Sequence, residues 1–342
     1  MVKKAVVIGP YRRHNFGDDL VGAIIATHLK RRGYETSVPL LGKVNTDWLG
    51  IEHAPAYGNR IAQADTVVLG GGGILSDTSG PNPGMSYAGI IARAALRGTL
   101  AGKKTYVTSV GAGPWLLEAS KMYTVLVALA AEKVGVRDSE SRRYLSELGV
   151  DGRNIVEGAD LALLSADYLE FDRVASDKIG MQFDLGVFKD ILGNPNVDAI
   201  RRAVKTYAAE HKDAVALVSN SERDSQILST AAEGVELMNY SALQDFMPRL
   251  AGLKAIFTSH LHLAVVAYSQ RIPCFSLYVR EKTKRFYGQI GHPERAIDLS
   301  TATVSDFERL IAAAENAQWT DEDEARLQEL QTQARTLLEF VK

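Results

Sequence analysis

Two histidines separated by one residue, His260 and His262, stand in the stretch TSHLHLAVVAYSQRIPCFSLYVREKTKRF, which carries Arg280, Lys282, Lys284 and Arg285 further along. Imidazole exchanges protons near neutral pH, and clustered fixed cations hold anions, so these types suit proton transfer on a small, multiply charged anion. The apolar runs Ala255 to Phe257 and Cys274 to Leu277 read as short buried strands, with Leu261 to Tyr268 a packed helix between them. In a strand, helix, strand unit, Thr258 or Ser259 caps the helix and both histidines fall in its first turn. A cationic imidazole there opposes the helix dipole, so stability alone does not select two of them. The basic residues follow the second strand at the same carboxyl edge, where open α/β sheets bind ligands. Lys284 and Arg285 read more simply as a solvated helix face, whereas His262 and Lys282 are candidates for chemistry.

Earlier strand ends supply the rest. Ala5 to Gly9 is a β-branched run, and Leu20 to Leu29 has helical spacing. The connection PYRRHNFGDD is longer than a βα turn needs, which makes Asn15, Gly17, Asp18 and Asp19 candidates for substrate contact. Asp18 or Asp19 serves equally well as the cap and first-turn acid of that helix. Val67 to Leu69 runs into Gly70 to Gly73, and such a loop turns sharply and can present backbone N–H groups to a phosphate or carboxylate, Gly71 and Gly72 foremost. It has neither the Lys-Ser/Thr of a P-loop nor the Rossmann spacing. Ser76 to Ser86 reads as a mobile loop on that rim. Tyr106 to Val110 ends in another glycine junction, Leu116 to Ala131 is an apolar helix, and Val134 to Val136 leads to Arg137 ahead of a helix from Ser139 to Leu148. Arg137 at a strand end can grip a carboxylate or phosphate with two parallel bonds, or pair with Asp138 or Glu140. Gly158 to Leu164 reads as the last strand of this half.

The alternation predicts a doubly wound parallel sheet, and a second series from Lys178 repeats it through Val197 to Ala209, Val215 to Val218, Ser225 to Ala232, Leu237 to Met238 and Leu243 to Leu250. The expectation is two Rossmann-like α/β domains facing across a cleft: 1–165 with the glycine loops, 166–320 with the His and Lys motifs, and a C-terminal helix, 321–342, packing back on the body. The 342 residues, 46% hydrophobic, suffice for two cores. A net charge of -2 gives no electrostatic case for nucleic acid. Lone Cys274 forms no disulfide within the chain and fits a reducing cytosol. The opening MVKKAVVIGP is too short for a signal segment, and no apolar run approaches the roughly 18 residues of a membrane helix. A membrane-bound substrate would therefore bring the protein to the inner face as a visitor. No His/Cys/Asp cluster has metal-ligand spacing. Oligomeric state is left open.

Seven motifs in order, HNFGDDL (His14 to Leu20), VVLGGGGILSD (Val67 to Asp77), VGAGP (Val110 to Pro114), VRDSES (Val136 to Ser141), GADLAL (Gly158 to Leu163), TSHLHLAVVA (Thr258 to Ala267) and REKTKRF (Arg280 to Phe286), give a chain that resembles the polysaccharide pyruvyl transferase family. The resemblance implies a GT-B-like fold and transfer of the pyruvyl group of phosphoenolpyruvate onto two hydroxyls of a sugar, free, lipid-linked or polymeric, forming a cyclic ketal. It needs no cofactor, since phosphoenolpyruvate is the donor substrate. Arg137 matches the family's strand-end arginine and is implied to hold the donor. His262 matches the histidine of an Arg-Leu-His motif, and Lys282 the lysine four residues ahead of a Phe. His260 stands where family members usually have arginine, supplying at most one positive charge that depends on pH near neutrality. Asn15 and Asp18 fall in an acceptor-side element. In the chemistry this implies, His262 delivers a proton and Asp19 accepts the hydroxyl proton. Nucleotide-sugar glycosyltransferases share the two-domain pattern and form the alternative; a non-enzymatic sugar-binding subunit is a third reading.

Overall fold

A computed structural model describes residues 2–57, 59–76, 87–183, 193–221 and 233–342. The chain divides into two compact units, Met1–Leu169 with Glu329–Lys342, and Glu170–Gln328. The first unit holds strands β1 (Lys4–Ile8), β2 (Glu35–Pro39), β3 (Glu52–Ala54), β4 (Thr66–Gly70), β5 (Lys104–Val110), β6 (Lys133–Val136) and β7 (Ile155–Glu157). They form one sheet in the order β3-β2-β1-β4-β5-β6-β7, every neighbouring pair parallel. Parallel pairing follows from the helical crossovers: α1 (Phe16–Arg31), α2 (Lys43–Leu49), α3 (Arg60–Gln63), α4 (Tyr87–Leu100), α5 (Glu118–Ala130), α6 (Ser139–Glu147) and the short α7 (Ser165–Tyr168). Covered on both faces, β4 is buried at all five positions, which explains its unbroken apolar run. The core joins Val6, Leu69, Val107, Val127 and Val134.

Several local expectations change in the structure. Helix α1 begins at Phe16, and its cap is Asn15, whose side chain accepts the Gly17 N–H at 3.2 Å; Asp18 and Asp19 are first-turn acids and neither is the cap. Helix α5 begins at Glu118, leaving Leu116 90% exposed ahead of it. Gly158 to Leu164 is not a strand. The edge strand is β7, which ends where the Gly158 N–H meets Val136 O. Asp160 then accepts the Ala162 N–H at 3.0 Å and turns Leu161–Leu164 into a 3-10 turn, all four side chains buried. Its apolar run signalled burial, not extension. Strands β2 and β3 escaped the sequence reading because each is short and polar, as ETSVP and EHA show.

The second unit repeats the plan with β8 (Ile179–Gln182), β9 (Val215–Ser219), β10 (Glu236–Asn239), β11 (Ala255–Thr258), β12 (Cys274–Tyr278) and β13 (Ala296–Asp298), ordered β10-β9-β8-β11-β12-β13 and parallel throughout. Helices α8 (Val197–Glu210), α9 (Leu243–Leu250), α10 (Leu261–Ser269), α11 (Glu281–Gln289) and α12 (Val304–Asn316) connect or flank these strands, and α13 (Asp321–Glu339) follows. Met181, Leu217, Phe257, Leu277 and Phe307 lie in its core. In α13 the stripe Leu327, Leu330, Ala334, Leu337 and Leu338 is buried. The expected helix Ser225 to Ala232 and most of the expected loop Ser76 to Ser86 lie outside the described residues. No helix among the described residues is long and apolar enough to cross a membrane.

Candidate functional site

Each sheet reverses its winding once: between β1 and β4 in the first unit, and between β8 and β11 in the second. At such a point the loops from two neighbouring strand ends diverge and leave a crevice. The predicted residues gather at these two places and at one strand end nearby.

In the first unit Gly71 and Gly72 have positive φ, 85° and 70°. A Cβ at Gly72 would fall 2.7 Å from Asp18 Oδ1, so glycine is what lets the loop lie against the first turn of α1. The Gly71 N–H is committed to Thr108 O at 3.3 Å, and Gly72 O accepts the Gly111 N–H at 3.0 Å. Asp18 and Asn15 are half-buried, while Asp19 is buried. Beneath them the buried Tyr11 phenol donates to Gly70 O at 3.2 Å. Burial, then the charge of Asp18, then Tyr57 and Asp19, pushes its pKa well up, which places Tyr11 in the field of both acids. Asn15, Asp18, Asp19, Gly71 and Gly72 are thus brought together.

Arg137 follows β6 and is joined to that group through the backbone. Its guanidinium lies where a Cβ at Gly111 would meet Nη2 at 3.0 Å, and Gly111 in turn bonds Gly72. Its Nη1 donates to Asp160 Oδ2 at 2.9 Å, both side chains being buried. Arg137 thus has an ion-pair partner, Asp160, that is distant in sequence, while Asp138 caps α6 by accepting the Ser141 N–H at 2.7 Å. Asp160 was missed by the sequence reading, having been assigned to a strand. Nearby, Ser109 takes φ 54° where the β5–β6 register shifts, and its Oγ accepts the Leu161 N–H at 3.0 Å.

In the second unit the strand ends converge on His260. It is the first residue of α10's cap, its N–H donating to Thr258 Oγ1 at 3.0 Å. Asn220, just past β9, meets His260 through Nδ2 and Nδ1 at 2.5 Å. Burial first, then the charges of Lys282, Arg280 and His262, push the His260 pKa down to about 3. Against the expectation of a charge that comes and goes near neutrality, this burial favours the neutral imidazole. The same interactions show that His260, His262, Lys282 and Arg280 share one neighbourhood. His262 and Lys282 are half-buried in the first turns of α10 and α11. Lys284 is exposed and pairs with Glu281 at 3.9 Å, as on a solvated face. Cys274 is buried in the core, which pushes its thiol up to about 12. Gln182 and Asn220 were not singled out from the sequence; the available signal was a polar residue closing an apolar strand, in IGMQ and VALVSN. Among the described residues no group of three or more His, Cys, Asp or Glu could hold a metal ion.

Two doubly wound parallel-sheet units of this order define a GT-B-like fold, and solved structures agree. UDP-GlcNAc 2-epimerase from Methanocaldococcus jannaschii superposes with a TM-score of 0.62 at 12% identity, covering 98% of this chain and 99% of that one. The enzyme from Neisseria meningitidis, bound to UDP-GlcNAc, gives 0.59 at 12% identity with 98% of each chain covered. That from Rickettsia bellii gives 0.57 at 10% identity, covering 100% of this chain and 97% of that one. At such identities the likeness is one of fold. None of the curated proteins matches the chain in sequence. The family model for polysaccharide pyruvyl transferase matches residues 15–281, and the chain belongs to that family of transferases. The match takes in every residue discussed above from Asn15 to Arg280 and ends one residue before Lys282.

Proposed function

We propose that this transferase moves the pyruvyl group of phosphoenolpyruvate onto two hydroxyls of a sugar in a cell-surface or exopolysaccharide precursor, forming a cyclic ketal and releasing inorganic phosphate. One observation carries the reading: the imidazole His262 and the cations Lys282 and Arg280 all act on His260 at the carboxyl edge of the second sheet, where a proton donor and fixed cations are both needed. A sugar hydroxyl oxygen bonds C2 of the enol phosphate while C3 takes a proton from His262, and Asp19 accepts the hydroxyl proton. The C2–O bond to phosphate then breaks, the electron pair leaving with phosphate, and the second hydroxyl adds to C2 and gives up its proton. Lys282 is assigned to the departing phosphate and Arg137, oriented by Asp160, to the donor carboxylate. Asn15 and Asp18 are assigned to the acceptor hydroxyls, and the Gly71–Gly72 turn to the donor side, where the Gly71 N–H is spent on Thr108 O and the loop shapes the surface against which the donor lies. His260 takes part as a neutral hydrogen-bond donor.

The test is incubation with phosphoenolpyruvate and a panel of lipid-linked and p-nitrophenyl glycosides, reading phosphate release together with a pyruvyl mass increment. Phosphate release without a ketal on any glycoside, or neither product, overturns the reading. Use of a nucleotide sugar is the second reading, supported by the fold shared with nucleotide-sugar enzymes. Thermal shift separates the two: phosphoenolpyruvate raises the melting temperature under the first, UDP-GlcNAc under the second.

A further inference from the structure

The switch point of the second unit contains a buried amide with half of its hydrogen bonds made. Gln182 ends β8, is 0% exposed, and lies opposite Thr258 in the β8–β11 register. Its Oε1 accepts the hydroxyl protons of Thr258 at 3.0 Å and Ser259 at 3.2 Å. The Thr258 oxygen is itself the acceptor for the His260 N–H. In this arrangement the amide presents its oxygen to both hydroxyls. Both hydroxyl protons need an acceptor, so the carbonyl oxygen turns toward them and the NH2 group turns the other way. Nε2 has no hydrogen-bond partner among the described residues.

A buried NH2 group without an acceptor is destabilising, and a strand end needs no glutamine for packing. The nearest element start is that of a helix. Helix α10, nine residues long, starts beside the hydroxyls that Gln182 holds, and its first N–H groups carry the positive end of the helix dipole. Lys282 and Arg280 act electrostatically on His260, the residue whose N–H is held by Thr258 Oγ1. Hydrogen-bond donors and positive potential converge there, and the complement is an acceptor bearing negative charge.

We propose that the Gln182 side-chain amide and the N-terminus of α10 form an oxyanion subsite, with Nε2 donating directly to a carboxylate or phosphate oxygen of the donor substrate. It deepens the reading of phosphoenolpyruvate as donor and rests on it for the ligand, since that molecule carries both groups. Gln182 is then a binding residue that orients the donor, and Thr258 and Ser259 act through it. Such a site holds its anion with a neutral, fixed dipole where a flexible cation would otherwise stand.

Calorimetric titration of wild type, Gln182→Glu and Gln182→Met with phosphoenolpyruvate, inorganic phosphate, pyruvate and UDP tests this. Gln182→Glu can keep both hydroxyl bonds while placing an anionic oxygen against the ligand, and the expected loss of phosphoenolpyruvate affinity is roughly ten- to hundredfold. Gln182→Met, which removes the donor without adding charge, is expected to lose about tenfold. Hydrogen exchange on the wild-type protein does not depend on either variant folding: phosphoenolpyruvate should slow the amides of residues 261–263. Protection by phosphate alone assigns the subsite to the phosphoryl group, and protection by pyruvate alone to the carboxylate. Wild-type phosphoenolpyruvate affinity in a folded variant, or no protection of 261–263 by a bound donor, overturns the subsite and leaves the donor reading standing. Binding of UDP in place of phosphoenolpyruvate, lost in Gln182→Glu, keeps the subsite and overturns the donor reading. No binding of any probe to wild type overturns both.

Discussion

Numbered from its own first strand, each sheet runs 3-2-1-4-5-6, with a seventh strand added at the edge of the first, yet their switch points carry opposite chemistry. The first presents Asp18, Asp19 and a glycine loop with two left-handed residues. The second presents His260, His262, Lys282 and the amide of Gln182. Topology puts a crevice at the same place in both units, and the few residues beyond each strand end decide what enters it. Under the proposed function Asp18 and Asp19 serve hydroxyls that must lose protons, while Arg137 and the glycine loop of the same unit face the donor. The basic end suits an anion that must gain a proton.

The most severe break in this division of labour is His262→Ala. If the imidazole protonates C3, the variant loses roughly 10²- to 10⁴-fold in kcat while its phosphoenolpyruvate affinity, read by calorimetry, stays near wild type. An unchanged kcat removes His262 from the chemistry. Asp160→Asn addresses the first unit through stability. It replaces the carboxylate paired with the buried Arg137 by a neutral amide, and breaking such a pair costs up to about 3–5 kcal/mol, measured by urea unfolding. A cost under about 1 kcal/mol would mean that Asp160 is not what holds Arg137.

Lys282→Met should act on the donor alone, raising the KM for phosphoenolpyruvate about ten- to hundredfold and leaving the KM for the sugar unchanged. A change in the sugar KM instead would erase the distinction between the two switch points. Gly72→Ala tests the glycine loop. The new Cβ meets Asp18 Oδ1 at 2.7 Å at a positive φ, so a loss of about 1–3 kcal/mol in stability is expected, checked by the melting temperature. Recovery of part of that loss in Gly72→Ala with Asp18→Gly would locate the clash.

Much of this division is legible in the sequence. Strands with β-branched runs and the glycine junctions after them announce a doubly wound sheet, because a buried parallel strand has no polar face to interrupt it. His262, Lys282, Asp18 and Asp19 were found because they follow such runs. What stayed hidden depends on partners distant in sequence. Nothing local says that Arg137 pairs with Asp160, since the pair forms when the β6 end and the turn after β7 meet. Gln182 looks like any polar residue at a strand end until Thr258 and Ser259 are placed beside it. The charge of His260 was misjudged for a similar reason: residue type gives a pKa near neutrality, and burial beside Lys282 and Arg280 takes it away.

That neutrality makes the smallest and most specific prediction. The folded pKa of His260 is about 3 and that of His28 in the first unit about 4, each below the ordinary 6.5 chiefly through burial. Both rings bind protons more readily in the unfolded chain, so their contribution is complete above pH 6.5 and is lost as pH falls toward about 4 for His28 and about 3 for His260. Unfolding free energy measured in urea between pH 7.5 and 4.5 should therefore fall with acidity, each ring adding up to about one proton to the slope. His260→Gln keeps a side chain able to bond Asn220 but removes the titration, so its slope should be shallower than wild type by up to about one proton, and His28→Gln should do the same independently. Carboxylates titrate in this range too, but they are common to wild type and variant and cancel in the difference. Should His260→Gln leave the slope unchanged, the imidazole is charged or solvated in the folded protein. The second switch point would then hold its anion with one more cation than its geometry indicates.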